Sequence, residues 1–501
     1  MIDRMSSALA SSGIGRDAKG SLAPEIRETH TGLVVLVGDR AFKAKKSVVT
    51  EFLDFSTVER REEVCQREVR LNGRLSADSY LGVAHFADPE NAEPEPVVVM
   101  RRYPDSVRLA SMVQRGEPVE HHLSAIAEKL ASFHAMAARG PNVDACGTAA
   151  AVQDRWRQNV AELDHFSTAL VDPAVVAEID RLAGQYVDGR AGLFARRIVE
   201  SRVVDGHGDL IADDVFCPAT GPVMLDCLEF DDRLRFVDGL DDAAFLAMDL
   251  EFLGSPSLAE FFLGEYRRFA GDSAPISLAH FYIAYRAVVR AKVDCIRVSQ
   301  GDAGARAGVR RHLDLALQHL RTGTVRLVLV GGGPGTGKTT LAHALADRTA
   351  AQVVSSDDVR REMHADGELD GVAGVYGAGL YTADNVDAVY DALLHRAGLL
   401  LADGQSVILD ATWRESRHRL NAREVANATK SPIVELACSV PIDVATARIL
   451  ERRNSSSDAT PDIASAMGRE KTSWEGAHLV DTSRPLGDTT AEAHQICCLA
   501  T

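Results

Sequence analysis

Residues 325–339 read VRLVLVGGGPGTGKT, and this stretch decides the fold of the C-terminal part of the chain. The largely apolar run 325–330 is typical of a strand buried in a parallel sheet. The glycines that follow allow backbone N–H groups to turn inward around a phosphate. A helix that begins near Lys338 adds the positive end of its dipole. The stretch therefore predicts a strand, a phosphate-binding loop and a helix.

The loop satisfies the pattern G-x-x-x-x-G-K-[ST], in which the invariant positions have chemical tasks. Lys338 is expected to reach the β and γ phosphates of ATP, and Thr339 to offer its hydroxyl to Mg²⁺. The predicted nucleotide-binding residues are Gly332, Gly333, Pro334, Gly335, Thr336, Gly337, Lys338, Thr339 and Thr340. A plain Gly-rich turn is the alternative, but the flanking strand and helix are the context that phosphate binding requires.

Strands and helices alternate after this loop, which predicts a parallel α/β sheet with right-handed crossovers. The predicted elements are helix 338–349, strand 352–356, helix 386–402, strand 406–411, helix 416–428, strand 432–440 and helix 442–453. The clearest domain boundary lies near Gly323. We therefore expect a flexible arm over 1–23, a first domain over 24–322 and a P-loop kinase domain over 323–501.

Two acidic residues are predicted at the carboxyl edge of this sheet, where ligands of α/β proteins bind. Asp357 follows the strand 352–356, and Asp410 ends the run VILD. One carboxylate is needed for the Mg²⁺ shell, and the other can accept a proton from a substrate hydroxyl. A helix N-cap is an equally good interpretation of either Asp357 or Asp358.

Arginines follow these acidic positions and could close positive charge over nucleotide phosphates. Arg419 lies on the helix after Asp410, and Arg452 lies on the last predicted helix, before the Ser-rich run 455–457. An Arg-bearing helix before such a loop suggests a mobile lid. A solvated helix face is the alternative for any single arginine.

The combination of S-D-x-x-R (Ser356, Asp357 and Arg360) with D-A-T from Asp410 resembles the small-molecule kinases near gluconate kinase, zeta toxin and polynucleotide 5′-kinase. The resemblance covers about residues 325–485. It implies that Asp357 contacts the acceptor hydroxyl and that Asp410 is the second acidic residue of the site. It also implies nucleotide-contacting roles for Arg419 and, in a lid, for Arg452.

A second group of candidate residues begins at His207-Gly208-Asp209. Asp214 follows in the next loop, and Asp226 ends the apolar run VMLD. Three carboxylates in this order suit phosphoryl transfer, because one can orient an acceptor hydroxyl while two hold Mg²⁺. The alternative is an acidic surface loop, and that interpretation accounts for the carboxylates Asp231, Asp232, Asp241 and Asp242.

A carboxylate upstream faces the apolar side of a predicted helix over 58–75. Glu68 shares that face with Cys65 and Leu71, so it needs a cation inside the protein. The predicted strand AFKAK offers Lys43 and Lys45 on one face, since side chains alternate along a strand. A strand Lys paired with a helix Glu fixes the α and β phosphates in protein kinases. Lys43 matches the position of the protein-kinase lysine better, and Lys45 remains the alternative.

These residues make the first 320 residues resemble the aminoglycoside phosphotransferase-like branch of the protein-kinase fold. The resemblance implies an α+β bilobal domain with Asp209 as catalytic residue, and Asp214 and Asp226 as metal ligands. Asp214 stands where the family pattern has Asn, and no G-x-G-x-x-G loop precedes Lys43. The whole arrangement resembles an uncharacterised group of bacterial fusion proteins.

Composition narrows the functional classes further. The 501 residues carry a net charge of −17, which argues against general nucleic-acid coating. The eight cysteines form no C-x-x-C pair, and neither a signal peptide nor a membrane span is apparent. We therefore expect a cytoplasmic protein.

Three functions remain open from the sequence. The first is ATP- and Mg²⁺-dependent phosphotransfer to a small-molecule hydroxyl, at one or both sites. The second makes the N-terminal domain a degenerate nucleotide-sensing or partner-binding module attached to an active P-loop kinase. The third is a polynucleotide 5′-hydroxyl kinase, for which the acidic balance is unfavourable.

Overall fold

The computed structural model describes residues 24–28, 32–48, 54–87, 94–166, 170–372, 378–451 and 474–501. The predicted arm over 1–23 and the predicted lid residue Arg452 lie outside the described residues. The chain divides into two compact units. The first unit contains the segments up to Gly147 and Arg197–Ser273, and the second contains Thr148–Arg196 and Ala274–Thr501.

Strands and helices are numbered separately in chain order. The strands are β1 Glu25–Glu28, β2 Gly32–Val37, β3 Arg40–Lys45, β4 Tyr80–Phe86, β5 Glu95–Arg101, β6 Val203–Asp205, β7 Val215–Phe216, β8 Val223–Met224, β9 Phe236–Asp238, β10 Leu327–Gly331, β11 Gln352–Ser355, β12 Val407–Asp410, β13 Ile433–Ser439 and β14 His478–Asp481. The helices are α1 Val58–Ser76, α2 Leu109–Gln114, α3 Glu120–Met136, α4 Pro141–Cys146, α5 Ala149–Asp164, α6 Pro173–Gly189, α7 Ala191–Val199, α8 Gly239–Phe252, α9 Pro256–Ala270, α10 Ile276–Ser299, α11 Arg306–Thr322, α12 Lys338–Thr349, α13 Ser356–Ala365, α14 Ala383–Ala402, α15 Ser416–Ala428, α16 Ile442–Glu451 and α17 Leu486–Leu499.

The first unit opens with an antiparallel sheet in the order β1-β2-β3-β5-β4. Alternating small and branched apolar residues in β2, β3 and β5 form one core beneath it. Helix α1 packs against β4 and β5, because its apolar stripe includes Cys65, Leu71 and Leu75. Thr57 caps the helix by accepting a hydrogen bond from the backbone of Arg60.

The rest of the first unit combines short strands with helices. The pairs β6–β9 and β7–β8 form two small antiparallel sheets. Helix α9 packs against both α3 and α8. The short sheets carry the loops that contain Asp209, Asp214 and Asp226, so the candidate carboxylates are held between paired strands. An antiparallel sheet with α1, followed by this helical part, is the predicted protein-kinase-like fold.

The second unit contains a fully parallel sheet in the order β11-β12-β10-β13-β14. The central strand β10 is buried along its whole length. Helices α12 and α17 pack together over a core of aliphatic residues from the sheet. The predicted P-loop sheet is therefore confirmed, and it gains β14 and α17, which the sequence pattern did not reveal.

Helical segments that precede the P-loop in sequence also belong to the second unit. Helices α5, α6, α10 and α11 pack against one another there. Ser277 donates a hydrogen bond to the backbone oxygen of Gly404 at 2.6 Å, which joins α10 to the loop before β12. The sequence assigned these helices to the first domain, so the compact units differ from the predicted boundary at residue 322. That boundary stays a prediction about the two sequence modules.

Within the described residues, no helix combines the length and the hydropathy needed to cross a membrane.

A buried arginine ties together three parts of the first unit. Arg197 in α7 is 2% exposed and donates two hydrogen bonds to Asp238 and two to Asp272, all at 2.6–2.7 Å. Asp238 also caps α8 by accepting from the backbone of Leu240. Burial opposes the charge of the guanidinium, but the two carboxylates raise its pKa. The ion triad therefore fixes the start of α8.

We predict that Arg197→Ala lowers the free energy of unfolding of the first unit by about 3–5 kcal/mol, because two buried carboxylates lose their counter-charge. Urea-dependent hydrogen exchange of peptides from residues 197–273 measures this loss. The matched control is Arg268→Ala, since Arg268 is exposed and pairs with Glu265 at the surface. The control should leave stability nearly unchanged. Equal losses in both variants would contradict the buried triad.

Candidate active sites

The phosphate-binding loop has the backbone geometry that the sequence motif requires. Gly332, Gly335 and Gly337 have φ values of 145°, 77° and 81°, which L-residues with a side chain rarely adopt. A Cβ at Gly335 would lie 2.4 Å from the backbone oxygen of Ala445. The loop leads directly into α12, whose first residue is Lys338. The helix N-terminus and the loop amides therefore face one concave site.

One peptide of this loop is held from outside by a residue near the C-terminus. The Thr482 hydroxyl donates a hydrogen bond to the backbone oxygen of Thr336 at 2.5 Å. Arg448 donates in turn to the backbone oxygen of Thr482 at 2.9 Å. With the Thr336 carbonyl held on this side, the N–H of Gly337 points the other way, since a peptide group is planar. Sequence reasoning missed Thr482, because no local pattern marks it.

The two predicted carboxylates lie beside the loop. Asp410 pairs in register with Val330 on one side and Ser355 on the other, so it sits at the carboxyl edge next to the loop. It is 2% exposed, and the Thr339 hydroxyl hydrogen-bonds its carboxyl group. Burial raises the pKa of Asp410, while Lys338 opposes that rise.

Asp357 lies in the first turn of α13 and contacts an arginine of the same helix. Arg360 donates a hydrogen bond to its carboxylate at 2.6 Å and stacks on the ring of Tyr381. Ser355 caps the helix by accepting from the backbone of Asp357. The N-cap interpretation of Asp357 or Asp358 is therefore wrong, since the strand's last residue already fills that position.

Arg419 has a different environment from the one that a phosphate contact needs. Its guanidinium is buried and donates to the backbone oxygens of Trp413 and Arg414 at 2.6 and 2.8 Å. Trp413 is a buried non-glycine residue with φ of 53°, a strained conformation. The Tyr390 hydroxyl accepts from the Trp413 backbone at 3.1 Å. Arg419 and Tyr390 together hold the turn that follows Asp410.

The first unit brings together the predicted lysines and their glutamate. The carboxylate of Glu68 is fully buried, with one oxygen 2.8 Å from Lys43 and the other 2.6 Å from Lys45. Burial opposes its charge, but the lysines lower the pKa of Glu68. Lys43 also contacts Asp226, whereas Lys45 lies 2.5 Å from Glu229. Both lysines are thus in reach of Glu68, as their shared strand face predicted.

The three predicted carboxylates of the first unit also lie together. Burial, reinforced by Asp226 and Asp209, raises the pKa of Asp214 well above its usual range. Asp226 has φ of 63°, a left-handed conformation that Asp tolerates better than most residues. The Tyr80 hydroxyl accepts a hydrogen bond from its backbone at 3.1 Å. The loop therefore presents its carboxylate from a fixed turn.

A fourth carboxylate organises the loop that carries Asp209. Asp242 is fully buried and accepts hydrogen bonds from the backbones of His207 and Gly208 at 2.7 and 2.8 Å. The ring of His134 also contacts it at 2.9 Å. Burial opposes the charge, but these donors lower the pKa of Asp242 strongly. The surface-loop interpretation of Asp241 and Asp242 is wrong, because both lie in the buried first turn of α8.

The residues at both sites fit Mg²⁺ and a nucleotide. The Thr339 hydroxyl hydrogen-bonds the Asp410 carboxyl group, but one buried oxygen of that group has no hydrogen-bond partner among the described residues. The loop forms a cradle that a Cβ at Gly332 would invade, at 2.5 Å from Thr336. Asp214 and Asp226 repel each other unless a proton or a cation intervenes. Across the described ranges, however, no group of three or more His, Cys, Asp or Glu side chains forms a ready metal cage.

Two folds in one chain define the class of protein. One is a protein-kinase-like unit, and the other is a parallel sheet with a phosphate-binding loop. The family model described as "AAA domain" matches residues 327–471. Proteins of Mycobacterium tuberculosis (strain ATCC 25618 / H37Rv) and Mycobacterium bovis (strain ATCC BAA-935 / AF2122/97), each named "Uncharacterized protein", are 53% identical over 472 residues. The matches cover 94% of this chain and 95% of each relative. The chain belongs to the family of these mycobacterial proteins.

Three solved structures are similar to this chain over part of its length. The GDP and kanamycin complex of APH(2")-IIia matches with 13% identity and a TM-score of 0.40, covering 62% of this chain and 97% of that one. A choline/ethanolamine kinase family protein from Mesorhizobium loti matches with 16% identity and a TM-score of 0.36, over 63% and 99%. A gluconokinase from Sinorhizobium meliloti 1021 matches with 18% identity and a TM-score of 0.28, over 35% and 93%.

The two lysines of β3 should respond differently to replacement. Lys45 is 3% exposed between two carboxylates, whereas Lys43 is 16% exposed beside the accessible Asp226. We predict that Lys45→Met destabilises the first unit by about 3–5 kcal/mol, because Glu229 and Glu68 lose a buried partner. Lys43→Met should cost less than half as much. Urea-dependent hydrogen exchange of peptides from β3 and α1 measures both changes.

ATP affinity is a second measurement that distinguishes the roles of Lys43 and Lys45. In a Lys338→Ala background, which removes the second site, Lys43→Met should weaken calorimetric ATP binding at least tenfold. A Lys43→Met protein that binds ATP normally and unfolds more easily than Lys45→Met would reverse the assignment.

The Thr482 hydroxyl should matter for nucleotide affinity. Thr482→Val keeps the shape of the side chain but removes the hydrogen bond to the loop, which is worth about 1 kcal/mol. We expect ATP affinity at the second unit to fall roughly fivefold, because 1.4 kcal/mol corresponds to a factor of ten. Calorimetric titration in a Lys43→Met background, which weakens ATP binding at the first unit, measures the change. Thr482→Ser restores the hydroxyl and should restore affinity; failure of that rescue would point to packing instead.

Proposed function

We propose that this protein is an ATP- and Mg²⁺-dependent phosphotransferase that passes the γ-phosphate to a hydroxyl of a small molecule, chiefly at the second unit. One observation carries the proposal. The glycine loop, Lys338, Thr339, Asp410 and Asp357 converge on one edge of a single parallel sheet. The family match over 327–471 supports a phosphate-binding P-loop domain, and the names of the 53% identical relatives state neither an activity nor an acceptor.

The roles follow from where each group lies. The loop amides and Lys338 bind the phosphates, and the Thr339 hydroxyl together with Asp410 holds the metal shell. Mg²⁺, when bound, neutralises the charge that develops on the transferred phosphoryl group. Asp357 accepts the proton of the acceptor hydroxyl, and Arg360 positions its carboxylate. The acceptor therefore approaches from the side of α13, between Asp357 and the loop.

The first unit offers a second set of groups for the same chemistry. Lys43, fixed by Glu68, would hold the α and β phosphates, and Asp214 with Asp226 would hold Mg²⁺. Asp209 would orient an acceptor hydroxyl. The loop that carries Asp209 is held by Asp242, which accepts hydrogen bonds from the backbones of His207 and Gly208.

A second candidate function for the first unit is nucleotide sensing without transfer. Two observations favour it: Lys43 contacts Asp226 directly, and Asp214 adds a carboxylate where the related pattern has an amide. Excess negative charge strengthens metal binding but repels a phosphate. Such a unit would report bound nucleotide to a partner and leave phosphotransfer to the second unit.

We predict that Lys338→Ala abolishes ATP-dependent phosphotransfer at the second unit, because the β and γ phosphates lose their main cation there. A screen of sugars, aminoglycosides and nucleosides with coupled ADP detection would supply the acceptor and the rate. Lys292→Ala, which removes a partly buried lysine paired with Glu162 in the same unit, is the control and should retain full rate. Unchanged turnover in Lys338→Ala would mean that the second unit is not the main catalytic site.

Asp209→Ala separates the two candidate functions of the first unit. If the first unit transfers phosphate, the residual turnover of Lys338→Ala on some acceptor disappears in the double variant. If it only senses nucleotide, the double variant matches Lys338→Ala in rate, while ATP still stabilises it against heat.

A further inference from the structure

We propose that a pocket around Arg190 in the second unit binds a small inorganic anion of halide size. Arg190 lies between α6 and α7 and is 1% exposed. Its guanidinium donates to the backbone oxygens of Thr429 and Val325 at 2.9 and 3.4 Å, and to the hydroxyl of Ser431 at 3.0 Å. All three acceptors are neutral, and the ring of Tyr186 lies 5.4 Å from the guanidinium carbon, so none of these contacts supplies a full counter-charge.

The lack of a carboxylate partner distinguishes Arg190 from two other buried arginines, Arg197 and Arg235. Arg197 lies against two carboxylates, and Arg235 pairs with Asp205 and Asp232. Arg190 has no carboxylate within ion-pair distance in the described ranges, and burial lowers its pKa to about 10. A buried charge without a counter-charge is costly, because the interior screens it poorly. The site therefore favours an anion from solution.

A pocket is available where that anion is needed. A cavity of about 20 Å³ lies against Arg190, and the buried Nε–H of its guanidinium has no hydrogen-bond partner in the described chain. The lining residues are Leu182, Gln185, Tyr186, Arg190, Ser277, Phe281, His319, Leu320, Gly323, Thr324, Val325 and Lys430. Two of these residues are cationic and none is acidic. The pocket is thus positive within a chain whose net charge is −17.

The size of the pocket restricts which ligand can bind. Its position determines which elements a bound anion stabilises. A cavity of about 20 Å³ holds one small ion or one or two water molecules, so a nucleotide or a sugar phosphate does not fit. Arg190 joins α6 to the end of α15 and to the strand that leads into the phosphate-binding loop. An anion that compensates Arg190 therefore stabilises the packing of these helices on the sheet. A water molecule is the other occupant, and it would leave the charge unbalanced.

The test uses the intact wild-type protein and bromide as the probe. Crystals soaked in sodium bromide should show an anomalous peak in contact with the Arg190 guanidinium. In solution, sodium bromide should raise the melting temperature of the second unit saturably. Sodium isethionate at the same ionic strength should not, because that anion is too large to enter. Ordered water without bromide at Arg190, or equal effects of both salts, would overturn the proposal.

Variants confirm that the effect belongs to this residue. Arg190→Gln keeps donors for Thr429 and Ser431 but removes the charge, so the bromide-specific rise should vanish. Arg181→Gln is the matched control, since Arg181 lies on α6, the helix that directly precedes Arg190, and pairs with Glu178 at the surface. It should retain the full bromide response. If Arg190→Gln does not fold, the anomalous peak in wild-type crystals decides the question alone.

Discussion

A charge removed from water must find a partner, and this constraint shapes both units. The carboxylate of Glu68 is buried in the first unit, and Lys43 and Lys45 balance its charge through direct ion pairs. Asp242 is buried because two backbone amides and a histidine donate to it. Each such carboxylate fixes the elements that supply its donors. The interior charges therefore double as the framework that positions the reactive groups.

The two candidate sites use this framework in different ways. In the second unit, backbone geometry dominates, since glycines with positive φ form the cradle and Thr482 holds one of its peptides. In the first unit, side-chain pairs dominate, since β3, α1 and the loop of Asp226 meet through Lys43. A backbone cradle tolerates change in most side chains around it, whereas a network of paired charges does not. We therefore expect the second site to tolerate substitution of its surrounding side chains better than the first site does.

Much of this could be predicted from the sequence, because the deciding signals are local. The helix 338–349 was predicted with the bounds that the structure gives it, and the β10 strand was predicted within two residues. The pairing of Glu68 with the lysines followed from helical and strand periodicity alone. The interpretation of Asp242 as part of a surface loop was wrong. It arose because an acidic pair beside other acidic residues has the composition of such a loop. The burial of Asp242 depends on donors more than 30 residues away, which no local pattern contains.

The sequence by itself determined the phosphate-binding loop, the alternation of strands and helices after it, and the residue types of both candidate sites. These depend on spacing along the chain, and spacing is fixed once the residues are fixed. Only the tertiary structure decided that Thr482 supports the loop, that Arg419 holds a strained turn, and that helices α5, α6, α10 and α11 pack in the unit of the parallel sheet. Those features arise where segments distant in sequence meet, because hydrogen bonding and burial depend on distance in space.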